Sequence, residues 1–178
     1  RHTTPGVFLQ DDIGIARWLS FSASARADFQ SQYGTFLSPR LSALLRWHGW
    51  TSRLSAGLGF FAPTPLTEET EAAGLTRLLI PQPLLAERGR SASFDLTRKV
   101  GPASLTVTLF DSSVRPPINV ERDQQYQLVN LTRPTNNAGI EFLGTLRKAS
   151  FSATASSTYV HSRPFEVGEQ IDTPHQPP

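Results

Sequence analysis

No cysteine and no methionine occurs in the 178 residues of this chain. The first absence excludes disulfides, Cys-ligated zinc and thiol nucleophiles. No apolar run reaches the ~18–20 residues that a membrane-spanning helix needs, so a helical membrane protein is excluded. Charge is scarce as well, at 18% of residues, and 17 basic against 15 acidic side chains leave a formal net charge of only +2. Without a basic run or a recognition motif, that balance excludes nucleic acid as an expected partner. Hydrophobic residues, at 38%, fall short of the share usual in a packed globular domain. The chain opens on Arg1 with no positively charged and then apolar leader. Together with the missing methionine, this gives the expectation of an internal or processed piece of a longer protein.

Serine, threonine and a strict alternation fill the space left. From Leu19 to Phe29, Leu19, Phe21, Ala23, Ala25, Ala27 and Phe29 alternate with Ser20, Ser22, Ser24, Arg26 and Asp28. A strand sends successive side chains to opposite faces, so such a segment makes a sheet with one apolar and one polar side. The same pattern runs through Trp50–Phe61, Ser91–Val100, Ala103–Leu109 and Gly139–Arg147. It is less regular in Val7–Ile15, Phe36–Trp47 and Phe151–His161, and Pro39 counts against the second of these because it has no N–H for a ladder. The expected fold is all-β: an antiparallel up-and-down meander of about eight strands, forming part of a transmembrane β-barrel wall. Residues 1–162 form the barrel segment, and residues 163–178 form a loop or tail.

Connection lengths support a membrane. Tight turns fall near Ala16–Arg17, His48–Gly49, Gly101–Pro102 and Lys148–Ala149. Longer links fall near Gln30–Gly34, Pro63–Gly89 and Arg115–Gln125. Short turns on one side and long loops on the other describe an outer-membrane barrel. Trp18, Trp47 and Trp50 flank tight turns, and Phe29, Phe60 and Phe61 lie toward the other edge. That placement suits two aromatic girdles, although aromatic residues also favour hairpin ends in general. In the longest link, Thr64, Pro65 and Gly74 suit the cap, first residue and end of a short helix.

The charges sort by parity. Arg26, Arg40, Arg46, Arg53, Asp95, Lys99, Glu141 and Arg147 all share the polar faces, which makes them lumen-facing candidates. An Arg or Lys at the lipid midplane costs about 2–4 kcal/mol, so their parity orients the wall. Arg98 falls on the apolar face near a strand end, from where it can snorkel. Gly57 and Gly59 alternate on the polar face, leaving room for a close neighbour or simply curving the strand. The four histidines, His2, His48, His161 and His175, show no metal-ligand spacing. Glu68, Glu69 and Glu71 lie in the longest link, either as solvated loop charge or as a cargo contact. No nucleophile motif, phosphate loop or cofactor fingerprint is present, so neither an enzyme nor a cofactor is expected.

Several stretches resemble TonB-dependent outer-membrane receptors. They are Phe8-Leu-Gln-Asp-Asp12, Tyr33-Gly-Thr-Phe-Leu-Ser-Pro-Arg40, the box Gly59-Phe60-Phe61-Ala62-Pro63, Leu85-Ala-Glu-Arg88, and Asn130 followed by Asn137-Ala-Gly-Ile-Glu141. The family usually carries Arg where this chain has Phe61. The resemblance implies a bacterial outer-membrane location, contact with outer-membrane lipid, and a plug domain and TonB complex engaged through an upstream region. It also implies cargo such as a ferric siderophore or a similar scarce nutrient. Two other readings stand beside it: an autonomous eight-stranded barrel serving as anchor or adhesin, and a soluble all-β binding module.

Overall fold

A computed structural model describes residues 3–63, 78–122 and 126–163. The strands are β1 (Gly6–Ala16), β2 (Leu19–Gln30), β3 (Gly34–Trp47), β4 (Trp50–Phe61), β5 (Leu78–Leu79), β6 (Glu87–Val100), β7 (Ala103–Arg115), β8 (Ile118–Arg122), β9 (Tyr126–Asn130), β10 (Thr135–Lys148) and β11 (Phe151–Arg163). Eight of them form one sheet in the order β1-β2-β3-β4-β6-β7-β10-β11, and every neighbouring pair in it is antiparallel. This is the expected meander. A second sheet, β5-β9-β8, was not anticipated and lies within the long connections. Pro39 is accommodated in β3, because the ladder to β4 stops at Arg40↔Gly57, one residue short of it.

The ladders carry the alternation across the whole sheet. One row reads Ile13, Phe21, Ala43, Leu54, Phe94, Leu109, Ile140 and Tyr159, one residue from each strand. Displaced by one residue, the next row reads Gly14, Ser20, Leu44, Arg53, Asp95, Thr108, Glu141 and Thr158. The apolar rows are bare: Leu9, Leu41 and Leu54 are 76%, 63% and 56% exposed. Among the described residues only Phe36 and Leu128 form a buried hydrophobic core. An apolar surface of this extent is not left against water, so the face needs an apolar medium such as lipid.

The registers also set the tilt. The four hairpins close at Ala16↔Leu19, Trp47↔Trp50, Val100↔Ala103 and Lys148↔Phe151. Leu19 pairs with Leu45, Trp50 with Arg98, and Ala103 with Leu146. Each hairpin therefore ends two residues beyond its predecessor. The turns repeat one junction: the amides of Arg46, Lys99 and Arg147 donate to the carbonyls of Trp18, Gly49 and Pro102 at 2.8, 3.1 and 2.9 Å. Two residues advance about 6.6 Å along a strand while two inter-strand spacings cover about 9.6 Å, giving a tilt of about 35°. That is the tilt of a closed barrel wall.

With that tilt each residue climbs about 2.7 Å along the barrel axis. On the apolar face, Lys148 and Arg98 lie roughly 4 and 9 Å from the level of the tight turns. The next charge on β2 to β11 is Asp111, at roughly 26 Å. Arg98 reaches back toward the turns. Its guanidinium lies 5.0 Å from the Trp50 ring centroid and donates to the His48 carbonyl at 2.5 Å, as snorkelling requires. The uncharged band is then roughly 22 Å tall, close to the ≈ 25 Å of membrane barrels. Asp11, on edge strand β1, is the exception. Trp18, Trp47 and Trp50 are 54%, 71% and 41% exposed at the turn-side rim.

Turn chemistry follows the expected sites. His48 and Gly49 both have positive φ, at 44° and 78°, as a two-residue hairpin turn with right-handed twist demands. Ala149 holds φ 50° without glycine's freedom. Replacing Ala149 with Gly is expected to stabilise the protein by up to about 1 kcal/mol. The rise in unfolding midpoint checks this; an unchanged or lower midpoint contradicts it.

Candidate functional site

Polar-face side chains form rows of their own. Arg26, Arg40, Arg46, Arg53, Asp95, Lys99, Glu141 and Arg147 all fall on the face opposite the apolar rows. Three of them, Arg26, Arg40 and Arg53, line one hollow of about 710 Å³ together with Gln10, Asp12 and Ser24. Arg46, Asp95, Glu141 and Arg147 do not line it. Arg26 is committed to Asp28: its Nε donates to both carboxylate oxygens at 2.9 Å, and Asp28 is only 2% exposed. Burying a carboxylate requires such a partner. Asp95 accepts from the Thr108 hydroxyl at 2.8 Å, and the Thr97 and Thr106 hydroxyls meet at 2.9 Å. Arg53 and Asp95 are direct cross-strand neighbours, which balances charge at the middle of the face.

Gly57 and Gly59 separate on inspection. A Cβ at Gly57 would meet the Pro39 carbonyl at 3.3 Å and the Arg40 stem at 3.5 Å, while one at Gly59 would meet nothing within 4 Å. Gly57 thus serves close packing at the end of the β3–β4 ladder. Beyond it the box residues take over. The Phe60 ring stacks on buried Phe36 at 4.1 Å, and Arg88 lies 5.4 Å from the Phe36 centroid. Phe60 is therefore a packing residue rather than a rim residue, whereas Phe29 and Phe61 are 48% and 50% exposed. Phe61 keeps regular pairing with Glu87. Ala62 follows the strand, and the Pro63 carbonyl accepts from the Tyr33 hydroxyl at 3.2 Å. Burial pushes the Tyr33 phenol above its ordinary pKa.

Asn130 ties the long connections together. Its Oδ1 accepts from the Leu85 amide at 2.7 Å, and its Nδ2 donates to the Leu85 and Pro116 carbonyls at 3.2 and 3.3 Å. The side chain thus behaves as a strand edge. Nearby, the Ile118 amide donates to Glu87 Oε1 at 2.5 Å, the Leu131 amide donates to the Pro117 carbonyl at 2.8 Å, and Leu128 is fully buried. The sequence offers Asn130 only as part of a resemblance, with no sign of its partners Leu85 and Pro116, 45 and 14 residues away. Asn130→Ala is expected to free the β8–β9 hairpin, at about 1 kcal/mol per lost hydrogen bond. Limited proteolysis within residues 116–134 should speed up several-fold, with Asn130→Asp intermediate because it keeps the acceptor. An unchanged cleavage rate would refute the pin.

Glu68, Glu69, Glu71 and the short helix expected between Thr64 and Gly74 lie outside the described residues, as do His2, His175 and residues 164–178. His48 sits in its turn with its ring edge-on to Trp47 at 5.1 Å. Among the described residues no group of three or more His, Asp or Glu side chains gathers as a metal site.

The model of the family described as "TonB dependent receptor-like, beta-barrel" matches residues 1–177. The chain belongs to this TonB-dependent receptor β-barrel family. Its fold is also that of solved receptors. It superposes on the siderophore receptor PirA from Pseudomonas aeruginosa with TM-score 0.78 at 17% identity, over 92% of this chain and 32% of that one. The FrpB iron transporter from Neisseria meningitidis gives 0.71 at 17% identity, over 91% and 26%. The copper transporter OprC gives 0.73 at 13% identity, over 91% and 28%. The chain thus spans about a third or less of these structures' length. No curated protein matches it in sequence. TonB-dependent receptors are outer-membrane transport receptors rather than enzymes, and this chain has the architecture of their barrel wall.

Proposed function

We propose that this wall belongs to a receptor that imports a scarce metal-bearing nutrient, a ferric siderophore foremost, across the bacterial outer membrane with energy delivered through TonB. The observation that carries the reading is a sheet with one membrane-high apolar face, uncharged on β2 to β11, and one polar, charged face in a receptor-barrel family. The polar face lines the lumen, where Arg40, Arg46, Arg53, Asp95, Glu141 and Arg147 face a plug domain, while Arg26 remains held by Asp28. The joined connections, with Glu68, Glu69 and Glu71 in the longest, face outside and meet cargo. The likeness to iron and siderophore receptors favours iron, and the likeness to a copper transporter makes copper the second candidate.

The eight-stranded sheet is open. β1 and β11 stand at its two edges and do not pair with each other, which disfavours an autonomous small barrel. The bare apolar face disfavours a soluble module. The test is uptake by the host strain of labelled ferric siderophores and of copper, with and without the gene and with and without TonB. Loss of ferric uptake in both deletions is the expected result. Normal uptake of every cargo without the gene would sink the proposal.

A further inference from the structure

Above the uncharged band the two halves of the wall differ. On β1 to β4 the apolar face continues as Val7, Ala27, Leu37, Leu58 and Phe29. On β6, β7, β10 and β11 it turns polar and basic. One cross-strand row there reads Arg90, Ser113, Asn136 and Arg163 on four adjacent strands. Arg115 stands two residues above Ser113 on β7, and His161 two residues below Arg163 on β11. By the tilt derived above, Arg90 and Ser113 lie roughly 31 Å from the level of the tight turns, just past the band. Arg90, Arg115 and Arg163 are exposed.

Two details suggest more than a solvated rim. Every side chain in the row is a hydrogen-bond donor, and two of them are guanidiniums, which pair with phosphate oxygens in forked geometry. Ser113 is only 3% exposed, and its Oγ is the one buried side-chain polar atom without a hydrogen-bond partner among the described residues. A buried hydroxyl left unpaired is a cost that a bound acceptor would remove. Among the described residues of these four strands, Asp111, one step below the row, is the single carboxylate on this face. His161 Nε2 accepts from Arg163 Nε at 2.9 Å and holds that arm at the edge strand.

We propose that the Arg90–Ser113–Asn136–Arg163 row, with Arg115, is a docking site for the phosphate groups of an anionic outer-leaflet lipid. The lipid's acyl chains lie down the apolar face over Leu109, Ile140 and Tyr159, and its phosphorylated headgroup meets the row. Charge complementarity and the position of the row at the upper border of the uncharged band select this occupant over free phosphate, which would gain nothing from the apolar face. The site rests on the outer-membrane placement proposed above.

The full-length protein, placed in phosphatidylcholine nanodiscs with and without 10 mol% of a bis-phosphorylated glucosamine lipid, tests this. Lipid retention is read by native mass spectrometry. Preferential retention of the phosphorylated lipid is expected, about fivefold weaker for Arg90→Gln or Arg163→Gln and about 30-fold weaker for both. Arg90→Lys with Arg163→Lys should keep part of it, and Arg53→Gln, on the other face, should keep all of it. Folding of each variant is checked by heat-dependent gel migration, so loss of structure is not mistaken for loss of the site. Equal retention by the double Gln variant, or equal retention of the dephosphorylated lipid, overturns the proposal. So does competition by inorganic phosphate at the same phosphate concentration. If the outer-membrane placement itself fails, the unaltered protein will not enter nanodiscs at all, which is a different result.

Discussion

Leu54→Arg is expected to cost about 2–4 kcal/mol, a loss of roughly 30- to 1000-fold in the folded population, while Ser55→Arg next to it is tolerated. Leu54 is 56% exposed and stands between Ala43 and Phe94 in the ladder. Its level, roughly 15 Å above the tight turns, is near the middle of the uncharged band. An arginine there has no water within reach and no rim close enough for snorkelling. Ser55 pairs with Ser42 and Ser93 on the polar face, where a longer charged arm meets water or another polar side chain. Urea midpoints of the two variants of the full-length protein in bilayers give the comparison. Equal losses, or a larger loss at Ser55, would mean that the faces have been assigned the wrong way round.

The second large effect is expected at Gly139, for a reason that has nothing to do with lipid. Gly139 lies opposite Phe110 on β7 and Val160 on β11. A Cβ there would come within 2.5 Å of the Tyr159 carbonyl oxygen, and closer still to the Phe110 ring. Glycine at this point lets an aromatic ring lie across the strand, and the ring covers backbone that glycine leaves bare. Gly139→Ala forces either the ring or the β10–β11 ladder to move, at about 1–3 kcal/mol. Combining it with Phe110→Ala relieves the contact with the ring but not the one with the backbone. The double variant should therefore recover only part of the stability lost by the single one. A Gly139→Ala protein as stable as the parent would show that the ladder yields freely at this point.

These two sites mark what could be read in the chain and what could not. Leu54 and Ser55 fall on opposite faces because a strand has a side-chain period of two, and that period needs no knowledge of neighbours. Arg98 is the misfit on the apolar face by parity alone, but its reach to Trp50 and His48, 48 and 50 residues away, depends on the β4–β6 register. In the sequence, Gly139 is only one member of an alternating segment. Its packing depends on a register with β7 that places it against Phe110, and register between distant strands is not written in either strand alone. The same holds for Phe36 and Phe60. Alternation puts them on opposite faces, yet they stack, because the β3–β4 ladder ends before reaching them. Asn130 is the extreme case, a single side chain whose partners come from two other connections. Of the candidate residues, Arg26, Arg40 and Arg53 do share one hollow. Parity could not show that Asp28 already holds Arg26, since an ion pair between residues two apart on a strand depends on side-chain geometry.

The two-residue advance from one tight turn to the next has a consequence for assembly. A hairpin placed by that rule offers its successor the same edge, at the same angle and height, that it received itself. The wall is therefore built by one repeated screw step, and each hairpin is one such step. A chain that gained or lost a hairpin would keep its strand inclination and its membrane span, and only its girth would change. Construction can likewise proceed from an existing edge by repetition of a single step, with no element waiting for a distant partner until the last strand meets the first.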